Sequence, residues 1–312
     1  MSASATGKRQ SVLLRAWESD VAYSFRRSKV TMIAGAVTLL YFVAALFAPW
    51  IAPQNPYDLA SLNLMDSFLP PVWAEGGDPR FLLGTDDQGR DILSTIIYGS
   101  RTSLGVGFLS VIFAAALGIT LGLIAGYRGG LVDAFIMRVA EIQLSFPAIL
   151  IALLLDGLLR GILGGAGGAA MSYAVIVIAI TLSFWVQYAR TVRSSCMVEK
   201  NKEYIQAARV IGVRPAGIVV RHVLPNVMGP VLVIATISLA LAVITEATLS
   251  FLGVGVPSTQ PSLGTMIRVG NDFLFSGEWW ITIFPGIALA ALVLAVNLLG
   301  DWLRDALNPK LR

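Results

Sequence analysis

A single histidine, His222, and a single cysteine, Cys196, bound the reactive chemistry open to this chain. One cysteine excludes an internal disulfide and a thiolate metal site, so no metal ligand set is expected. One histidine excludes a His-based zinc site or a Ser–His nucleophile within the chain. No GxxxxGK[ST] run occurs, so the chain has no ATP-binding loop of its own. Recognition remains, and the richest segment for it is KEYIQAARVIGVRPAGIVVRHVLPN, Lys202 to Asn226. Glu203 to Ile211 is expected as a short helix, with Ala207 and Ala208 making one face small enough to enter a partner's groove. Gly212 suits the positive φ of a helix C-terminus. Pro215 suits the first turn of a following helix, and Pro225 is expected to break the chain after it. His222 reads most simply as a hydrogen-bonding residue at a helix end.

A second cluster, Asp86, Asp87, Gly89, Arg90 and Asp91, could face a partner or close on itself as an ion-paired turn. Other polar groups are sparse and fall inside apolar runs. Glu246 is either a functional acid at membrane depth or a buried hydrogen-bonding group. Gln143, Ser145, Ser183 and Gln187 are candidate pathway-lining residues, and Asp156 stands toward one end of its run. Arg138 and Glu141, three apart, are placed to pair.

The elements that must position these residues are membrane spans. The chain of 312 residues is 56% hydrophobic and 13% charged, with a mean hydropathy of +0.73. Soluble domains carry roughly 25% charged residues. Crossing the hydrocarbon layer takes ~20 apolar residues. Six runs qualify: about 30–51, 102–126, 135–158, 169–189, 227–252 and 279–299. The first is read as a retained helix and not as a signal peptide. Trp50, Tyr127, Trp185, Tyr188, Trp279, Trp280 and Trp302 fall near the ends of runs, where interfacial aromatics belong. Ala114, Gly118, Gly122 and Gly126, spaced by four, predict close packing of the second span on another helix. Gly161 to Gly168 reads as a turn between the third and fourth spans.

Eighteen of the 23 Lys and Arg residues fall on one face of this arrangement. Six lie in the N-terminal tail and seven between spans four and five. The positive-inside rule then puts both termini and the 199–225 segment in the cytoplasm. The loop before span two, residues 52–101, is external. The expected division is a cytoplasmic tail over 1–29, the first span with its large external loop over 30–101, a five-helix core over 102–300 and a cytoplasmic tail over 301–312. Arg26, Arg27 and Lys29 suit lipid headgroups. With a net charge of only +4, no nucleic-acid partner is expected.

The segment from Gln206 resembles the EAA loop of ABC importer permeases, E-A-A-x3-G-x9-I-x-L-P. Ala207, Ala208, Gly212, Leu224 and Pro225 match at identical spacing, while Gln206 and His222 depart from it. LGTDDQGRDILSTIIYGSRTSLGVG (83–107), GYRGGLVDAFIMR (126–138), ATLSFLGVGVP (247–257) and NLLGDWLRDALNP (297–309) resemble the C-type permeases of dipeptide, oligopeptide and nickel importers. The resemblance runs from about residue 28 to the C-terminus. It implies an all-α, six-span, MetI-like type I importer domain in a bacterial inner membrane. It also implies a second, B-type permease, two ATPase subunits that hold ATP and Mg, and an external binding protein. ATPase coupling would fall to Glu203, Gln206, Ala207, Ala208, Gly212, His222, Leu224 and Pro225. The chain itself would bind no cofactor and catalyse nothing. Peptides are the expected cargo, with nickel chelates, opines and glycosides as alternatives. A secondary transporter would need an inverted repeat, and none is evident. A passive membrane anchor would leave the EAA-like loop without a use.

Overall fold

The computed structural model describes residues 20–58, 60, 62–163, 168–257 and 260–307. Parts of both terminal tails and of the expected Gly161–Gly168 turn therefore lie outside the described residues. The regular structure of the described residues is helical, in ten principal elements: α1 (Asp20–Arg27), α2 (Lys29–Leu46), α3 (Ile92–Arg128), α4 (Gly130–Leu144), α5 (Ala148–Leu163), α6 (Gly168–Glu199), α7 (Glu203–Val210), α8 (Pro215–Phe251), α9 (Leu263–Phe273) and α10 (Trp280–Leu307). Among the described residues five helices are long and apolar enough to cross a membrane, namely α2, α3, α6, α8 and α10. The α4–α5 pair can make a sixth.

The centre is the α3–α6 seam, and glycine makes it. A methyl group at Gly122 would lie 2.6 Å from the Ala189 carbonyl oxygen and 2.9 Å from Val192 Cβ. One at Gly126 would lie 2.8 Å from the Arg193 carbonyl oxygen and from Cys196 Cβ. Gly118 meets Trp185 and Tyr188 in the same way, and Ala114 is fully buried one turn earlier. The contacts advance together along both chains, so α3 and α6 run parallel. Apolar side chains offer no hydrophobic advantage over lipid, and close backbone approach supplies the packing energy instead. The expected glycine row is borne out, with this chain's own α6 as its partner.

Two parallel helices need a return crossing between them, and α4–α5 supplies it. The expected straight third span is corrected here: α4 and α5 meet at 89° across Ser145–Pro147. Pro147 removes a donor and biases Phe146 away from helical geometry, which ends α4. α5 then continues to Leu163 and α6 begins at Gly168, so the ends of the expected turn are helical and its remainder lies outside the described residues. Arg138 and Glu141 pair as expected, at 3.0 Å on an exposed face.

The long helices overrun the expected spans. α3 starts at Ile92, ten residues early, because Asp91 caps it: its Oδ2 accepts from Ser94 N at 2.8 Å. α6 runs on to Glu199. α2 and α10 lie antiparallel, with Tyr41 donating to the Ala288 carbonyl at 2.8 Å. Phe25 packs edge-on to Trp302, and Trp302 Nε1 donates to Ser24 Oγ at 3.3 Å. These contacts bring α1 and the last turns of α10 to the same end of the bundle. α7 is at that end too, since Lys200 Nζ reaches the Gly126 carbonyl at 2.6 Å.

α9 is an unexpected element, wedged between α8 and α10 at the opposite end. Its Ser262–Thr265 capping box is complete: Thr265 N donates to Ser262 Oγ at 3.2 Å and Ser262 N to Thr265 Oγ1 at 2.7 Å. Gly264 and Gly270 let it close in on both neighbours, the Ala247 backbone and Ile281.

Candidate functional site

The site around α7 is built from its sequence upward. Ile205 and Ala208, three apart, face inward and join a core with Tyr188, Val192, Cys196, Ile218, Val223 and Val227. Glu203, Gln206, Ala207 and Val210 follow the i, i+3, i+4, i+7 pattern of one face, and all are exposed. The expected small face at Ala207 and Ala208 is corrected accordingly. Adjacent helical residues point ~100° apart, so Ala208 is a contact with the bundle and only Ala207 is presented outward. Val210 is 87% exposed and Ile211 78%, a pair of apolar knobs that the motif spacing does not single out. Gly212 adopts φ +83° with open space around it, as expected for the helix end, and turns the chain toward Pro215.

Pro215 occupies the first turn of α8, as expected. Pro225 does not break the chain, which corrects the second expectation here. α8 continues from Pro215 to Phe251 through a π turn at Val219–Val223. Pro225 sits in the first turn after that reset, where a missing N–H costs little. Leu224 is partly buried beside it and packs against the core.

Three ties fix α7 to the spans. Arg209 stacks over the Tyr127 ring of α3 at 5.6 Å. Tyr204 donates a short hydrogen bond to the Glu199 carboxylate at the end of α6, and Asn226 Nδ2 donates to the Tyr204 hydroxyl at 3.1 Å. Local desolvation of the hydroxyl, reinforced by the Glu199 carboxylate, pushes the Tyr204 phenol up to about 12. It therefore remains a donor throughout the physiological range. His222 is half-buried with its ring edge-on to Tyr204 at 6.3 Å, and its carbonyl accepts from Asn226 Nδ2 at 2.6 Å. Gln206 Nε2 donates back to the Asn201 carbonyl at 3.1 Å. Nearby, Arg193 of α6 holds Asp133 of α4 with both carboxylate oxygens engaged, Nη2 to Oδ2 at 2.6 Å. Sequence reasoning missed both Tyr204 and this pair, since each joins residues that only the fold brings together.

At the opposite end the 86–91 cluster closes on itself. Asp86 and Arg90 form a buried ion pair at 2.6 Å. Gly89 takes φ +74° in the turn, where a Cβ would strike the Asn63 carbonyl. Asp91 N donates to Gln54 Oε1 at 2.7 Å, and Trp280 Nε1 donates to the Thr85 carbonyl at 3.0 Å. Asp91 thus ties the loop to α3 and Thr85 ties it to α10, around the internal Asp86–Arg90 pair. Asp87 is half-buried, and its Oδ1 lacks a hydrogen-bond partner. Desolvation, then the Asp86 charge, raises its carboxyl above the ordinary range.

Glu246 is fully buried inside this chain. Its Oε1 accepts from Ser250 Oγ at 2.7 Å, while Oε2 has no partner at hydrogen-bond distance. The buried hydroxyls of Ser103 and Ser262 stand beside it, which places it at the junction of α3, α8 and α9. Of the other pathway candidates, Ser183 Oγ donates to its own helix at Ala179 O, 2.8 Å, and Ser145 Oγ to Glu141 O, 3.3 Å. Gln143 is half-buried and Gln187 exposed.

The model of the binding-protein-dependent transport system inner membrane component family matches residues 118–312. The chain belongs to this family. The N-terminal transmembrane domain of oligopeptide transport permease C matches residues 16–71. The dipeptide transport system permease protein DppC of Haemophilus influenzae is 39% identical over 93% of this chain and 94% of its own length. Its namesake in Escherichia coli K12 is 41% identical over 92% and 91%. The di/tripeptide permease DppC of Pseudomonas aeruginosa is 40% identical over 93% and 91%. An inward-facing structure of the MetNI methionine ABC transporter covers 70% of this chain and 98% of its own, with a TM-score of 0.54 at 20% identity. That likeness concerns the fold, and it supports the expected MetI-like, all-helical architecture. Membership makes this a multi-pass inner-membrane protein, and the α7 segment falls within the part of the chain that the family model covers.

Proposed function

We propose that the chain is one membrane-spanning half of an ATP-driven peptide importer. α7 is its coupling helix, seated in a groove of a separate ATPase subunit. The observation that carries this reading is the outward face of α7: Glu203, Gln206, Ala207, Val210 and Ile211, with two large apolar side chains bare at its tip. Exposed apolar side chains on a short helix outside the spans mark a contact surface. The positive-inside rule puts that end in the cytoplasm, where an ATPase would be met. A second, B-type permease completes the pathway, two ATPase subunits carry ATP and Mg, and an external binding protein delivers the peptide. The chain binds no cofactor and hydrolyses nothing. The peptide cargo is supported by relatives whose names specify dipeptides and tripeptides.

Motion would enter at α7 and rock the bundle about its rigid α3–α6 seam, as packed bodies do when an effector biases one of two arrangements. The test is co-purification of the ATPase subunits with the chain and its partner permease. Ile211→Asp puts a charge where an apolar contact is expected, and Ala207→Arg puts a long side chain where a methyl should fit. Both should insert normally and lose the ATPases. ATPase subunits retained at wild-type levels by both variants would overturn the assignment. The ligand that co-purifies with the binding protein separates peptides from nickel chelates, opines and glycosides.

A further inference from the structure

Resting on that reading, we infer that Tyr204 is the positioning residue through which α7 passes its movement to the spans. The inward face of α7 is apolar at Ile205 and Ala208. Apolar contact is non-directional, so such a face can slide while remaining buried. Directional ties are few. The Tyr204 hydroxyl makes two at once, donating to Glu199 at the end of α6 and accepting from Asn226 on α8. One phenol oxygen therefore joins α7 to two different spans.

Both partners are themselves held. Glu199 is buried, and its other oxygen takes Lys202 Nζ at 2.8 Å. Asn226 uses the same amide nitrogen to hold the His222 carbonyl across the π turn. A displacement of α7 along the bundle end must therefore stretch Tyr204–Glu199, stretch Tyr204–Asn226, or carry α6 and α8 with it. A buried carboxylate left without its hydroxyl donor is costly, so moving the spans is the favoured outcome. The Arg209–Tyr127 stack is looser, since a guanidinium can slide over a ring face without losing the attraction.

The test uses the assembled transporter in proteoliposomes, with binding protein and peptide, and counts peptide imported per ATP hydrolysed. Tyr204→Phe removes both hydrogen bonds and keeps the ring against His222. Its ATPase subunits should stay bound while peptide per ATP falls several-fold. Glu199→Ala should behave alike. Glu199→Gln keeps a carbonyl acceptor and should restore coupling to near wild type, which loss of packing alone would not predict. Wild-type peptide per ATP in Tyr204→Phe would overturn the inference. So would loss of the ATPases from that variant, because Tyr204 would then support the docking face instead of transmitting from it. Failure of the underlying reading looks different: the wild-type chain itself would bring down no ATPase.

Discussion

Replacing Gly122 with alanine tests the α3–α6 seam with a single methyl group. That methyl would sit 2.6 Å from the Ala189 carbonyl oxygen, 2.9 Å from Val192 Cβ and 3.1 Å from Ala189 Cα. None of these is the far end of a flexible side chain, so relief must come from parting the two helices by roughly half an ångström or more. Parting them also loosens the flanking contacts at Gly118 and Gly126. Overpacking of this kind costs up to ~3 kcal/mol, and the better helix propensity of alanine returns about 1 kcal/mol. The expected net loss is about 2 kcal/mol. Gly105 lies on the same helix with nothing within 4 Å of its would-be Cβ, so Gly105→Ala should gain up to ~1 kcal/mol. Thermal unfolding of the purified protein in mild detergent compares the two. Gly122→Ala should melt several degrees below wild type and Gly105→Ala at or above it. Identical melting of both variants would refute the claim that backbone approach holds the seam.

Asp133→Ala leaves Arg193 without its partner at the partly buried α4–α6 contact, so a loss of about 1–3 kcal/mol is expected; Asp133→Glu should recover part of it in the same melting assay. At the other end, Asp87 keeps its proton to higher pH in the folded loop than its ordinary value of 3.8, because of desolvation and the Asp86 charge. Its contribution to stability is therefore greatest below 3.8 and is lost as pH rises through the elevated folded value. Asp87→Asn should flatten the pH dependence of melting over that window and stabilise the protein at neutral pH; a variant less stable than wild type at pH 7 would contradict the sign.

Much of this architecture is local and therefore readable in the chain. Span number follows from apolar length, and the glycine row from its spacing of four. The behaviour of Gly212 and Pro215 follows from backbone chemistry alone. What escaped reading depends on contacts between distant segments. The α4–α5 bend had a signal in Pro147, but the apolar run through it obscured the break. α9 is 11 residues long, too short to register as a span, and its place is set by glycines that matter only once α8 and α10 flank it. Ala207 and Ala208 look equivalent in a motif and differ entirely in a helix, where one faces the core and the other does not. Tyr204 looks like an ordinary polar-tipped aromatic until Glu199 and Asn226 arrive on either side.

The π turn at Val219–Val223 has a consequence for phase. Ile218, Val223, Val227 and Val231 are all buried in one core, at intervals of five, four and four. A regular α-helix advances ~100° per residue, so five steps would leave Ile218 about 140° away from Val223. An i→i+5 turn accommodates one more residue per revolution and brings the two back onto one side. Deleting one residue between 219 and 223 would leave an interval of four, ~400° in a regular helix, and keep Ile218 on the buried side. Winding the turn as regular α-helix at its present length would instead swivel Ile218, and with it the approach to α7, by about 140° around the axis of α8. The wider pitch of this turn, more than the identity of any residue in it, sets the direction in which the outward face of α7 points.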